Sequence, residues 1–321
     1  MSNLINIIVS EQLLSFWIVF FVILVERSIS WPDKYHPLSV ITLLANGMAK
    51  KVLPSKPRQI SQQKIAGTLA PIILLLPVCA TLVVLIYLSE YPIFFDILML
   101  LIAIKFKQVI IQTKKVSAAL RSEKNILARQ RLSPLVLRET EKMSPMGLVK
   151  ANIESVLLRF CYQYCSVIFW YMLAGGVGAL IYRILYELCL CWNDKQPKFK
   201  HFGQPIRWLT TILQSVPSVL ATFSIICAGN IHQGIKMLIQ KSSYQSMHAF
   251  ILNCSGASLD VELGGPAYYG QHKIRTLAYG GKKQVILADN LQALNIINRA
   301  IWVWLTGYFL YCAILFFKTV S

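Results

Sequence analysis

The stretch Leu263-Gly264-Gly265-Pro266-Ala267-Tyr268-Tyr269-Gly270 has the residue types of a ligand-binding turn. Gly264 and Gly265 can take positive φ and let backbone N–H groups approach a ligand, Pro266 fixes the chain after them, and Gly270 closes the turn. Such a loop suits an anion or a flat, polar-edged ligand. It would equally serve as a plain chain reversal that sets Tyr268 and Tyr269 at the lipid headgroup level. Residues 105–159 carry twelve basic side chains against four acidic ones, which makes this stretch the natural place for a ligand site. Arg183 and Glu187 are four apart, so they share a helix face and can pair inside an apolar tract. The cysteines lie mostly in apolar runs with no C-x-x-C, and the histidines form no H-E-x-x-H, so a metalloenzyme reading has nothing to stand on.

These residues are embedded in a chain that is 55% hydrophobic and 14% charged. Soluble domains carry about a quarter charged residues, so the composition is that of an integral membrane protein. Lys and Arg outnumber Asp and Glu by 32 to 14. The excess is read as cytoplasmic loop charge, drawn to anionic membrane lipid or to phosphorylated ligands rather than to nucleic acid.

The expected fold class is an all-α integral membrane protein, one domain over residues 1–321 with about four to six membrane helices and cytoplasmic helical insertions. Expected spans are 4–25, 68–88, 93–111, 160–192, 208–228 and 300–317, and expected cytoplasmic segments are 26–67, 105–159 and 230–299. Residues 4–25 lack a basic n-region and a small-residue cleavage site, so they read as a retained span. A short helix is predicted over Leu38–Met48. The third span is predicted to run on through Lys105 and Lys107, with Val109, Val116, Leu120 and Leu127 on one face, and Ser144-Pro145 to open a new helix. The tract 160–192 is longer than the roughly 20 residues one crossing needs. With Gly175-Gly176 near its middle, it is either one tilted helix or two half-length helices that dip in and return.

With these residues laid out, the chain resembles the CobD/CbiB family of cobalamin synthesis. The turn at 263–270 is similar to that family's L-G-G-P-x-Y-Y, and Ala288-Asp289, Ala293-Leu294 and Arg299-Ala300-Ile301-Trp302 follow the order of its C-terminal end. His36-Pro37 resembles its early H-P-V. Arg138-Glu139-Thr140 resembles its R-D-T, and Glu154-Ser155-Val156 its E-S-V. Phe169-Trp170, Gly175-Gly176, Tyr182-Arg183, Phe202-Gly203 and Pro217 keep step. The chain departs from the family at acidic and amide positions. Where the family reads N-T-L-D after Tyr182-Arg183, Tyr186, Glu187, Leu188 and Cys189 stand here; where it reads D-D-x-L-N before Pro217, Thr210, Thr211, Leu213 and Gln214 do.

The resemblance implies a multi-pass protein of the bacterial inner membrane, alone, as a homo-oligomer or with a partner subunit. It implies an ATP- and magnesium-dependent amide ligase joining adenosylcobyric acid to aminopropanol phosphate. Carried over position by position, it gives Glu154 and Glu187 as catalytic candidates. Arg138, Glu139, Thr140, Gly264, Gly265, Pro266, Tyr268, Tyr269 and His36 are the candidates for a corrinoid or other small anionic ligand, and no residue is assigned to a metal. The thinning of acids is similar to the AmpE relatives, which leaves a catalytically inactive sensor or partner protein as the alternative.

Overall fold

The computed structural model describes residues 11–29, 31–53, 59–240, 246–265, 267–269, 272–274 and 277–320, with the backbone alone at 267–269 and 272–274. The first part of the expected span 4–25, Pro266, and the side chains of Tyr268 and Tyr269 lie outside these described residues.

In chain order the helices are α1 (Glu11–Ser28), α2 (Pro37–Val52), α3 (Ile60–Leu88), α4 (Pro92–Ala103), α5 (Lys107–Arg121), α6 (Asn125–Leu132) and α7 (Pro145–Arg159). A π-helical turn, Phe160–Cys165, leads into α8 (Ser166–Cys191), then α9 (Gln204–Ala228), α10 (Ile231–Ile239) and α11 (Met247–Leu259). Four short strands follow, β1 (Glu262–Gly264), β2 (Ala267–Tyr269), β3 (His272–Ile274) and β4 (Ala278–Gly280), and α12 (Asp289–Val320) ends the chain. The strands are the one departure from an all-helical chain. β1 pairs antiparallel with β4 and β2 with β3, so one hairpin is nested inside another.

Among the described residues, four helical stretches are long and apolar enough to cross a bilayer by length and composition: Ile60–Leu88, Pro145–Cys191, Gln204–Ala228 and Asp289–Lys318. Three of them begin earlier than the hydropathy alone suggests, at Ile60, Gln204 and Asp289 for the expected 68–88, 208–228 and 300–317. Pro71, Pro77 and Pro217 all sit inside helices, as packing neighbours permit. α1 lies against α12, where Phe16 meets the Tyr308 and Phe309 rings at 5.9 and 5.2 Å.

The expected continuous helix over 93–111 is broken. α4 ends at Ala103 and α5 begins at Lys107. The cause is Glu26, at the end of α1, whose buried carboxylate accepts the N–H groups of both Phe106 and Lys107. An acceptor at that point satisfies the donors a new helix start exposes. Val109, Val116 and Leu120 are buried on one face of α5, but Leu127 belongs to α6 and is exposed, because the chain turns at Glu123 with φ +56.

The tract 160–192 doubles back. Ala174 (φ −140°, ψ 20°) and Gly175 (φ +62°, ψ −164°) leave helical geometry between two helical arms. The Tyr182 hydroxyl donates to the Tyr162 carbonyl at 2.6 Å, and the Tyr162 and Tyr186 rings lie 6.3 Å apart. Along a straight helix those rings would be separated by about 36 Å. Gly175 adopts a conformation nearly closed to residues with a Cβ, which is why the reversal falls there. The returning arm runs alongside α4. The Gly176 N–H bonds Asp96 at 2.6 Å, and seven residues on in each chain Arg183 Nε bonds the Ala103 carbonyl at 3.1 Å. Seven residues of helix rise about 10 Å, so the reversal lies well short of a full crossing measured from the end of α4.

Candidate functional site

The best-organised polar cluster outside the apolar bundle forms on α7. Ser144 caps that helix by accepting the Gly147 N–H at 3.1 Å, and Pro145 occupies the first turn, as the Ser-Pro pair predicts. Buried Asn152 pins α7 to its neighbours by donating to the Thr113 carbonyl of α5 at 3.2 Å and to Asn290 Oδ1 of α12 at 2.8 Å. Ser155 and Arg159 both donate to the Leu135 carbonyl, at 3.0 and 3.2 Å, and so draw the loop before α7 back onto it.

That loop delivers Arg138 to Glu154. The guanidinium donates to Glu154 Oε2 at 2.6 Å, with side-chain exposures of 14% and 7%. Glu154 Oε1 accepts the Gly264 N–H, also at 2.6 Å, across 110 residues of sequence. One carboxylate therefore joins the cationic loop to the glycine turn. Beside it, Lys150 pairs with Glu262 of β1 at 2.7 Å.

The turn is held from below. Leu263 is fully buried, β1 pairs with β4 in the register Leu263 to Tyr279, and the Gly280 N–H donates to Asn253 of α11 at 2.8 Å. Gly264 has φ +79° and Gly265 φ +103°, as the sequence predicts. Their environments differ. A Cβ on Gly264 would lie 2.5 Å from the Leu277 carbonyl oxygen, whereas one on Gly265 would meet nothing within 4 Å. Gly264→Ala is therefore expected to destabilise the protein by about 2 kcal/mol or more, and Gly265→Ala by about 1 kcal/mol. Chemical denaturation in mixed micelles checks this; equal losses would mean that Gly264 is not gripped in the way described.

Two further side chains feel the charges of this cluster and carry no signal in the sequence. Burial raises the Tyr279 phenol above its ordinary range, and the Glu154 charge adds to the effect. His248, near the start of α11, is exposed. Desolvation, with the charges of Lys195, Arg138 and Arg207, holds its imidazole well below the ordinary value, so it is neutral at pH 7.

Other candidates lie elsewhere. His36 is buried, its Nδ1 accepts the Leu38 N–H that starts α2, and its ring sits 5.3 Å from Trp31. It is a helix cap, and it lines a cavity away from the Arg138–Glu154 cluster. Glu187 pairs with Arg183 at 2.6 Å, as the four-residue spacing predicts, and not with the Arg138–Glu154 cluster. Glu139 is exposed, and Thr140 is buried with its carbonyl accepting the Met143 N–H at 3.2 Å.

Asp96 is the residue that the sequence reading passed over. It accepts the Tyr171 hydroxyl and the Gly176 N–H, each at 2.6 Å, and thereby ties α4 to the reversal in α8. A lone carboxylate within Pro92–Ala103 was its visible signal, since charge in an apolar segment is costly unless it has a task.

Magnesium is usually held by one or two carboxylates together with substrate phosphates. Among the described residues no three His, Cys, Asp or Glu side chains form a metal-ligating group. Glu154 and Glu187 are each already engaged by an arginine. The donor set fits an anion better than a divalent cation.

A family profile described as "CobD/Cbib protein" matches residues 19–297. The chain is similar to the cobalamin biosynthesis protein CobD of Chromobacterium violaceum, 27% identical over 287 residues that cover 88% of this chain and 92% of the relative. It is 28% identical to the protein of the same name from Stutzerimonas stutzeri over 182 residues, 56% of this chain and 59% of the relative. It is 22% identical to that of Clostridium perfringens over 282 residues, 83% and 88%. These relatives lend nothing to the AmpE-like alternative. No solved structure matches the chain.

Proposed function

Because the chain belongs to the CobD/CbiB protein family, in which its relatives are named for cobalamin biosynthesis, we propose that it joins adenosylcobyric acid to aminopropanol phosphate at the bacterial inner membrane. The observation that carries this reading is the Glu154 carboxylate shared between Arg138 and the Gly264 N–H. Both of those donors suit a phosphate. A guanidinium offers a planar fork of N–H groups, and consecutive glycine amides make a concave anion seat. An arriving phosphate would exchange with Glu154 for Arg138 and the Gly264 amide. That exchange frees a carboxylate oxygen beside the substrate, where it takes the proton from the amine as its nitrogen bonds to the corrinoid carboxyl carbon and the phosphate that ATP had placed on that carboxyl leaves.

Activation of that carboxyl is what the resemblance assigns to ATP with magnesium. Neither Glu154 nor Glu187 is given a part in holding a metal, since the freed Glu154 serves as the base and Glu187 stays paired with Arg183. The membrane-embedded bundle would place the polar cluster on the cytoplasmic side, where the basic segments 105–159 and 230–299 are expected to lie.

The test is formation of adenosylcobinamide phosphate by the purified full-length protein, given both substrates, ATP and magnesium, alongside growth of a strain lacking its own ligase. Product formation and restored growth are expected. A protein that inserts, folds and binds adenosylcobyric acid but forms no product would overturn the ligase reading.

A further inference from the structure

A cavity of about 310 Å3 lies where α1 ends and where the chain breaks between α4 and α5. Its floor is apolar, formed by Val25, Ile29, Leu101 and Ile104. Ile29 is 61% exposed and Val25 38%, so the floor continues onto the open apolar face of α1. The rim changes character abruptly. Lys105, Lys107 and Trp31 also line the cavity. Glu26 also borders the space, but both recorded bonds of its carboxylate go to the Phe106 and Lys107 N–H groups. Burial is the main influence on Glu26 and raises its pKa, which weakens its opposition to an anion.

An apolar floor, two lysines and a tryptophan at the boundary of a membrane segment match the chemistry of an amphiphile with a negative head. Lysines there attract anionic headgroups, and an indole sits at headgroup level. We propose that this cavity is a binding site for an anionic phospholipid, with the upper part of one acyl chain along Val25 and Leu101 and the headgroup phosphate between Lys105 and Lys107. The volume is at the small end for ligand pockets, enough for part of a chain but not a whole lipid. The rest of the lipid would follow the exposed face of α1. Lys107 Nζ donates to the Ser28 carbonyl at 2.7 Å, which fixes its ammonium at the rim and leaves further protons for a phosphate. The site is separate from the Arg138–Glu154 cluster and does not depend on the ligase reading.

The test titrates the purified full-length protein in mild detergent with dioleoylphosphatidylglycerol, dioleoylphosphatidylcholine and inorganic phosphate, reading thermal midpoint and lipid retained in native mass spectrometry. Phosphatidylglycerol alone is expected to raise the midpoint and remain bound. Each lysine is worth about fivefold in affinity, so Lys105→Gln with Lys107→Gln should weaken retention about twenty-five-fold. Leu101→Trp, which fills the floor and keeps both charges, should weaken it as well, and it decides alone if the double variant fails to fold. Equal effects of phosphatidylcholine or of inorganic phosphate would overturn the proposal. So would undiminished phosphatidylglycerol retention by folded Leu101→Trp.

Discussion

Arg138→Met is expected to cost the folded protein about 3 kcal/mol, and adding Glu154→Leu to it is expected to return most of that loss. The pair is mostly buried, with the arginine 14% and the glutamate 7% exposed. Removing one partner leaves an uncompensated charge out of water, which is strongly destabilising, whereas replacing both with apolar groups of similar size is often close to neutral. The Gly264 N–H would still lose its acceptor in the double variant, a residual cost of about 1 kcal/mol. Activity should respond differently. Both the single and the double variant lack the guanidinium proposed to seat the phosphate, so product formation should fall by about a hundredfold or more in each. Denaturation in mixed micelles and a product assay on the same preparations separate the two roles. Recovery of activity together with stability in the double variant would mean that Arg138 does nothing beyond holding the loop in place.

What the sequence made legible follows how local each cause is. The Arg183–Glu187 pair was readable because four residues of helix bring the two side chains together. The positive φ values of Gly264 and Gly265 were readable because glycine tolerates them and the neighbouring residues ask for a turn. The long apolar helices were readable because their length is written directly into apolar runs. The break between α4 and α5 was not, because its cause is a carboxylate 80 residues upstream, and nothing near Ile104 is a helix breaker. The capping role of His36 was not legible because a histidine before a proline looks the same whether it caps a helix or awaits a ligand. The meeting of Glu154 with Gly264 lies between these cases. Residue order within the family pointed to both, but the contact depends on α7 being pinned through Asn152 and on β1 being anchored by buried Leu263. The same network accounts for resemblance at the C-terminal end. Asp289 accepts the Ile286 N–H at 2.7 Å and Asn290 meets Asn152, so these residues build the platform under the turn.

The reversal in α8 carries the largest expected effect within the bundle. Asp96→Leu should destabilise the protein by roughly 2–5 kcal/mol, because it leaves both the Tyr171 hydroxyl and the Gly176 N–H without their acceptor. Asp96→Asn should cost much less, since its amide oxygen still accepts from Gly176. Lipid offers no substitute for a lost acceptor, and non-helical backbone at membrane depth persists only where protein satisfies it. Asp96 meets that condition from a different helix, with its carboxylate at the N-terminal end of the returning arm, where partial positive charge collects. A geometric measurement accompanies the energetic one. The Trp170 and Tyr182 rings stack at 6.4 Å, while twelve residues along an unbroken helix would hold them about 18 Å apart. In a background without the native cysteines, Trp170→Cys with Tyr182→Cys should be bridged by a short bis-maleimide in the membrane, and adding Asp96→Leu should sharply reduce the yield. No bridging with Asp96 intact would mean that the tract crosses as one continuous rod, and the parallel packing of α4 on the second arm would fall with the hairpin.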